Sequence, residues 1–259
     1  MNQAVNRAVN RVIPCLLLQD GRLVKTVRFR RPRYIGDPIN AVRIFNDKHV
    51  DEIVLLDIGA SRAGAGPDVE LIARIAGECF IPLCYGGGIR SLAQARAIVA
   101  AGVEKIAVNS MALDDPALLT ELAQELGASS VVAGVDVMRD FRGRARVFHP
   151  GRRRPTALDP AEHAAALVRA GAGEVFLNSV DRDGTGAGFD LELVRRVSAA
   201  VNVPVTVCGG AAGLQDMRAA VRSGASAAAA GSLFVLYGPH RAVLINYPAY
   251  DDVRELFAR

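Results

Sequence analysis

Along this chain, short apolar runs rich in β-branched residues alternate with longer stretches whose apolar positions recur every three or four residues. The short runs predict strands near 12–18, 52–57, 81–85, 105–109, 131–137, 174–178, 203–208 and 226–231, with a helix expected after each. The stretch after Asp115-Pro116 shows the pattern. Leu119, Leu122, Ala123 and Leu126 fall at i, i+3, i+4 and i+7, the aspartate is placed to cap, and the proline suits the first helical position. Ile72, Ile75, Ala76 and Cys79 repeat that spacing one unit earlier. Gly102, Gly127, Gly171 and Gly224 follow such stretches and suit left-handed caps.

Strict β-α alternation requires a parallel sheet. An internal repeat favours its closure. Glu52 and Glu174 are 122 positions apart, and the same offset brings Pro82 onto Pro204, Gly87 onto Gly209, Gly88 onto Gly210, Gly102 onto Gly224 and Ser110 onto Ser232. A repeat this long means two homologous halves. Two four-unit halves pair symmetrically in a ring, so the expected fold is α/β, a single (β/α)8 TIM barrel with a twofold half-barrel repeat. It is expected to span residues 11–259 after an N-terminal extension of residues 1–10. Function then belongs on the face made by the strand C-termini and the loops that follow. Near the start of each half the offset slips to 119, and there Asp136 falls on Leu17.

Composition narrows the function classes. At 259 residues and 51% hydrophobic, the chain suits one barrel with a large core. No apolar run reaches the roughly 18 residues of a membrane span; the longest, from Ala225 to Tyr237, is broken by Ser226, Gly231 and Ser232. The polar first eleven residues lack the apolar stretch of a signal peptide, so a cytoplasmic location is expected. Cys15, Cys79, Cys84 and Cys208 form no CxxC pair and read as reduced thiols, three of them in apolar strand-like runs. His49, His149, His163 and His240 show no metal spacing; no metal or cofactor is expected. A net charge of +4 favours anionic ligands, but the few aromatics are not interleaved with the basic runs, which argues against nucleic acid.

The glycines carry the first chemistry. Tyr85-Gly86-Gly87-Gly88 closes the third predicted strand and Cys208-Gly209-Gly210 the seventh; Asn109-Ser110 closes the fourth and Gly231-Ser232 the eighth. Glycines let backbone N–H groups approach an oxyanion, and a following helix N-terminus adds a favourable dipole. One such pair reads as a tight turn. Two in register, each followed by a serine turn, imply a ligand with a phosphate at each end. In Asp181-Arg182-Asp183-Gly184-Thr185, after the sixth strand, the carboxylates either hold ligand hydroxyls or cap their own loop.

Ile13-Pro14-Cys15-Leu16, Leu56-Asp57-Ile58, Gly86-Gly87-Gly88-Ile89-Arg90 and Asp181-Arg182-Asp183-Gly184-Thr185 together resemble the cyclase subunit of imidazole glycerol phosphate synthase, over roughly residues 11–235. In that family a glutaminase partner releases ammonia, which crosses the barrel core. At the top it attacks a ribulosyl-formimino aminoimidazole carboxamide nucleotide, giving imidazole glycerol phosphate and an aminoimidazole carboxamide ribotide. The resemblance implies that Gly88, Asn109 and Ser110 hold one phosphate and Asp183, Gly184, Gly210 and Ser232 the other. Asp57, Asn178 and Asp181 join the substrate site, and Lys25 matches a lysine on a mobile loop after the first strand. Arg11, Glu52, Lys105 and Glu174 match a charged ring that gates ammonia beside the glutaminase, at the N-terminal face of the barrel. Without the resemblance, such charges read as a salt-bridged plug.

One departure bears on the chemistry. The family's acid–base pair consists of two aspartates at the ends of the first and fifth strands. Asp136 matches the second, while the first falls on Leu17, which carries no proton. Gln19 or Asp20 would substitute only if the strand shifted; alternation points Asp20 to the opposite face, and a carboxamide is no proton carrier. General acid–base catalysis contributes about 10²–10⁴-fold, so cyclase activity is expected to be crippled. Leu17, Leu23-Val24-Lys25-Thr26 and the stretch from Phe234 to Pro248 resemble a paralogous branch found with surface-polysaccharide biosynthesis. That resemblance implies a glutaminase partner and a downstream amidotransferase that modifies a nucleotide-linked sugar. Three functions therefore compete: an ammonia-conducting subunit for sugar amidation, a true cyclase despite Leu17, and a catalytically silent scaffold that binds a phosphorylated ligand.

Overall fold

The computed structural model describes residues 10–60 and 66–258; residues 1–9 of the expected extension lie outside them. Eight parallel strands form a closed ring: β1 Arg11–Gln19, β2 Ile53–Asp57, β3 Leu83–Gly86, β4 Lys105–Val108, β5 Val131–Arg139, β6 Glu174–Ser179, β7 Val205–Cys208 and β8 Ala227–Ala230. Each predicted strand lands on one of these to within about two residues at either end. Closure is made where β8 pairs with β1, Arg11 opposite Ala227, and where β5 pairs with β6, Asp136 opposite Asn178.

Helices follow the strands: α1 Pro38–Asp47, α2 Val69–Ala76, α3 Leu92–Ala100, α4 Ala117–Leu126, α5 Pro160–Arg169, α6 Leu191–Ala200, α7 Leu214–Arg222 and α8 Tyr250–Ala258. Their starts are written locally. The carboxylates of Asp37, Asp159 and Asp190 accept backbone N–H groups of the first turns of α1, α5 and α6. At α4 the proline occupies the cap position and the helix begins one residue later than spacing suggests, with Ala117 N–H donating to Asp115 Oδ1 at 3.1 Å. Ile72 and Ile75 of α2 are fully buried, each contributing about 2 kcal/mol. Cys79 falls beyond that helix, which stops at Ala76.

Strand alternation divides the core in two. Ile13, Cys15, Val54, Cys84, Val132, Phe176, Cys208 and Ala229 fill the barrel interior. Val12, Leu16, Leu18, Leu55, Ile106 and Val207 face outward and pack under the helices. Among the described residues every cysteine is a free thiol, and no helix is long and apolar enough to cross a membrane.

Two insertions rise over the C-terminal face. After β1 the chain forms an antiparallel hairpin, Arg22–Val27 with Arg30–Gly36, where sequence spacing alone suggests a loop. Its turn places Arg28 and Phe29 at positive φ. After β5, the strand Ala145–His149 folds back onto β5 and pairs with Arg154-Pro155. Phe29 and Phe148 meet edge to face between the two insertions, centroids 5.9 Å apart.

Candidate functional site

At the C-terminal face a cavity of about 400 Å³ opens between these insertions. Its wall includes Leu17, Lys25, Leu56, Asp57, Gly88, Asn109, Ser110, Asp136, Asn178 and Asp183, so most of the sequence-predicted top-face residues converge there. Gly184, Gly210 and Ser232 lie outside that wall, and Asp181 does too.

Asp136 sits at the inner end of β5 and is buried. Asn109, following β4, donates Nδ2 to Asp136 Oδ2 at 2.8 Å, and Asn178 of β6 donates Nδ2 to Oδ1 at 3.2 Å. Burial pushes the carboxyl up to about 7, against the two carboxamide bonds that favour its charged form; Asp183 adds repulsion. A carboxyl held near neutrality can give or take a proton, which is what acid–base work at pH 7 requires. Across the cavity the corresponding rung of the ladder is Leu17 opposite Leu56, with no titratable group in it. Asp20 follows β1 in an exposed turn and Gln19 is neutral, so neither brings an acid into the cavity wall.

The first glycine cradle borders the cavity directly. Gly87 takes φ +128°, and a side chain there would overlap the carbonyl of Asp57; only glycine lets the strand end turn this tightly against β2. Asp57 accepts the N–H groups of Gly59 and Ala60 at 2.9 and 3.0 Å, and burial pushes its carboxyl above the usual range. Ser110 opens the short helix Ser110–Asp114. Near its end, Asp114 accepts from Arg152 at 2.7 Å and contacts His149 Nε2 at 3.2 Å. That link anchors the insertion after β5 beside the cradle.

The second cradle is held differently. Lys25 lies on a strand of the hairpin after β1, is buried, and donates to Asp183 Oδ1 at 2.8 Å, while Thr26 Oγ1 donates to Oδ2 at 3.2 Å. Arg28 N–H donates to the Asp183 carbonyl at 3.0 Å. Asp181 accepts the Arg139 N–H at 2.7 Å, so its carboxylate ties the loop after β6 to the end of β5. Gly210, at φ +120°, abuts the Gly188 carbonyl, where a Cβ has no room. Lys25, Thr26 and Asp183 thus tie the hairpin to the loop after β6 while lining the same cavity.

At the opposite end of the barrel, Arg11, Glu52, Lys105 and Glu174 form one closed ion network. Arg11 bridges Glu52 and Glu174, the latter at 3.1 Å; Lys105 donates to Glu52 at 3.0 Å and to Glu174 at 2.9 Å. Two cations and two carboxylates balance, which offsets the cost of taking these charges out of water. Burial alone would raise the Glu174 carboxyl, but Arg11, Lys105 and the Thr206 hydroxyl outweigh it and hold it low. Glu52 has no such hydroxyl, and burial with repulsion from Glu174 leaves its carboxyl raised. Thr206, almost fully buried on β7, is a ring member that motif reading misses. Its signal is a lone hydroxyl in the apolar run from Val203 to Cys208.

The sequence model of a family described as histidine biosynthesis protein matches residues 11–239. The chain belongs to that family. Three relatives show the breadth of the likeness. A provisionally named imidazole glycerol phosphate synthase subunit hisF2 of Pseudomonas aeruginosa is 53% identical, covering 95% of this chain and 97% of the relative. A provisionally named HisF subunit of Leptospira interrogans is 48% identical over 95% and 98% of the two chains. The imidazole glycerol phosphate synthase subunit HisF of Alkaliphilus metalliredigens is 43% identical over 86% and 89%. The family match takes in all eight barrel strands, and the similarity includes relatives numbered as further copies of HisF, consistent with a paralogous branch.

Proposed function

We propose that this chain is the ammonia-accepting barrel subunit of a glutamine amidotransferase complex of the imidazole glycerol phosphate synthase type. In this reading a glutaminase subunit docks on the N-terminal face, forming a heterodimer. Ammonia passes the ring of Arg11, Glu52, Lys105 and Glu174, crosses the apolar barrel interior and emerges beside Asp136. The nitrogen is destined for amidation of a surface-polysaccharide sugar by a downstream amidotransferase, and a phosphorylated small molecule occupies the glycine cradles.

The observation that carries this reading is the contrast between an intact charged ring below and an incomplete acid–base pair above. All four ring residues are joined in one network, while Leu17 faces the cavity where a second acid is needed. Relatives named as synthase subunits support a partnered protein. The name of the Alkaliphilus relative also supports a second reading, the cyclase reaction of histidine biosynthesis.

Purified chain, ammonium salt and the ribulosyl nucleotide separate the two. No turnover is expected from the natural sequence, and Leu17→Asp is expected to raise it by about 10²-fold or more. Robust turnover with Leu17 in place would establish the cyclase instead. A co-purified glutaminase should hydrolyse glutamine faster with this chain than without it; a glutaminase that neither binds nor changes rate sinks the partner claim.

A further inference from the structure

We infer that the hairpin after β1, together with the short hairpin in which Leu236-Tyr237 pairs with Ala242-Val243, is the docking surface for an acidic protein that takes the nitrogen over at the top of the barrel. The inference rests on the ammonia-accepting reading and says where the enzyme that consumes the nitrogen sits. From Gly21 to Gly36 the chain carries Arg22, Lys25, Arg28, Arg30, Arg31 and Arg33 and no acid; from Leu236 to Ala249 it carries Arg241 and no acid. The two hairpins form one surface. Arg33 Nη1 donates to the Arg241 carbonyl at 2.9 Å, and Arg241 Nη1 donates to the carbonyl of Gly184, beside Val27, at 3.1 Å. Neither bond neutralises a charge, and Arg30 and Arg31 are exposed and meet no carboxylate among the described residues. Clustered charge of one sign selects a partner of the other.

The uncharged side chains make that partner a protein. Of the nine large apolar side chains exposed among the described residues, five fall here: Val27, Tyr34, Tyr237, Val243 and Leu244, with Tyr34 60% and Tyr237 64% exposed. Tyrosine and arginine are the residues enriched where proteins bind one another. The strand Arg30–Gly36 pairs only with Arg22–Val27 among the described residues, so its outer edge offers backbone groups as well. An anionic membrane attracts the arginines but leaves that edge without hydrogen bonds. Nucleic acid meets the arginines and leaves Val243 and Leu244 unused. A second copy of the chain sets arginine against arginine. An acidic protein satisfies charge, apolar surface and edge together. Lys25, Thr26 and Phe29 of the same hairpin line the top cavity, so a protein seated on it stands at the exit and receives the nitrogen before water dilutes it.

The test combines the chain with its glutaminase and the sugar amidotransferase, and reads amidotransferase binding by biolayer interferometry and sugar amidation by mass spectrometry. The double variant Arg30→Glu/Arg31→Glu should weaken binding about tenfold or more, mainly by slowing association, and added salt should do the same to the natural chain. Tyr34→Ser should weaken it without changing the salt dependence. Arg195→Glu, exposed on α6, should change nothing. Amidation from glutamine should fall with binding, while glutamine hydrolysis and amidation from ammonium chloride stay as they are. Unchanged binding in both the arginine and the tyrosine variants, or an equal loss with Arg195→Glu, would overturn the inference. Binding to phosphatidylglycerol vesicles or to a single-stranded oligonucleotide that the arginine reversal abolishes, with amidotransferase binding untouched, would also overturn it. Amidation from glutamine without any amidotransferase binding overturns it too and leaves the ammonia-accepting reading intact. A mixture in which glutamine supplies no nitrogen sinks that reading and the inference with it.

Discussion

At the bottom of the barrel Glu52 and Glu174 are the same residue in the two halves of the repeat, and both are held by the same two cations. At the top, Leu17 opposite Leu56 in the first half stands where Asp136 opposite Asn178 stands in the second. The difference follows from how tightly each group is tied to its neighbours. A buried four-charge ring cannot lose one member without leaving another charge unpaired. At position 17 an acid would bring a desolvation cost and a like-charge repulsion that leucine does not, so the fold needs no acid there.

The largest expected effect tests whether Asp136 is the working half of the top. In a Leu17→Asp background, adding Asp136→Asn should lower turnover of the ribulosyl nucleotide by about 10²–10⁴-fold, or roughly 3–5 kcal/mol of barrier. A loss under tenfold would mean that the halves are not divided as described.

Next comes the stability of the natural chain against pH. The Asp136 carboxyl is raised by burial to about 7 in the folded protein, above its value near 3.9 in an unfolded chain. The folded state therefore holds this proton more tightly. Its contribution is full below about pH 4 and is lost as pH rises through about 7, on the order of 4 kcal/mol across that window. Urea unfolding of the natural chain and of Asp136→Asn, compared from pH 4 to pH 7.5, should show the natural chain losing that difference as pH rises. Parallel curves would refute it.

The smaller effect probes the bottom. Glu174→Gln should destabilise by about 3 kcal/mol, at the low end for a broken buried pair because Arg11 and Lys105 are partly exposed. Thr206→Val should cost less, about 1 kcal/mol, since it removes the hydroxyl that donates to Glu174 and leaves the ion pairs in place. An unchanged midpoint in urea titrations would mean that Thr206 adds nothing.

Much of the barrel is legible in the chain because strand and helix periods are local. Eight apolar runs, the three-and-four spacing of the stretches between them and the offset of 122 mark eight strands, their helices and the two-half architecture. The hairpin after β1 is harder to read. Arg28-Phe29-Arg30-Arg31 lacks the glycine or asparagine that usually announces a turn at positive φ. The role of Asp57 is also hard to read. At the offset of 122 the counterpart of Asn178 is Leu56, and the neighbouring Asp57 falls on Ser179 and caps the turn at Gly59 and Ala60.

The sequence by itself determined the number and order of the barrel strands and the helices that follow them, the polarity of the two barrel ends and the absence of an acid at Leu17. Each of these is a property of residue type or of spacing within one segment. Only the tertiary structure decided which polar groups are already spoken for. Lys25 and Asp183 are 158 positions apart yet satisfy each other, and Asn109 and Asn178 turn their amides to Asp136. Such pairings depend on barrel closure and strand register, which bring distant side chains within hydrogen-bond reach, and buried polar groups take whatever partner that packing provides.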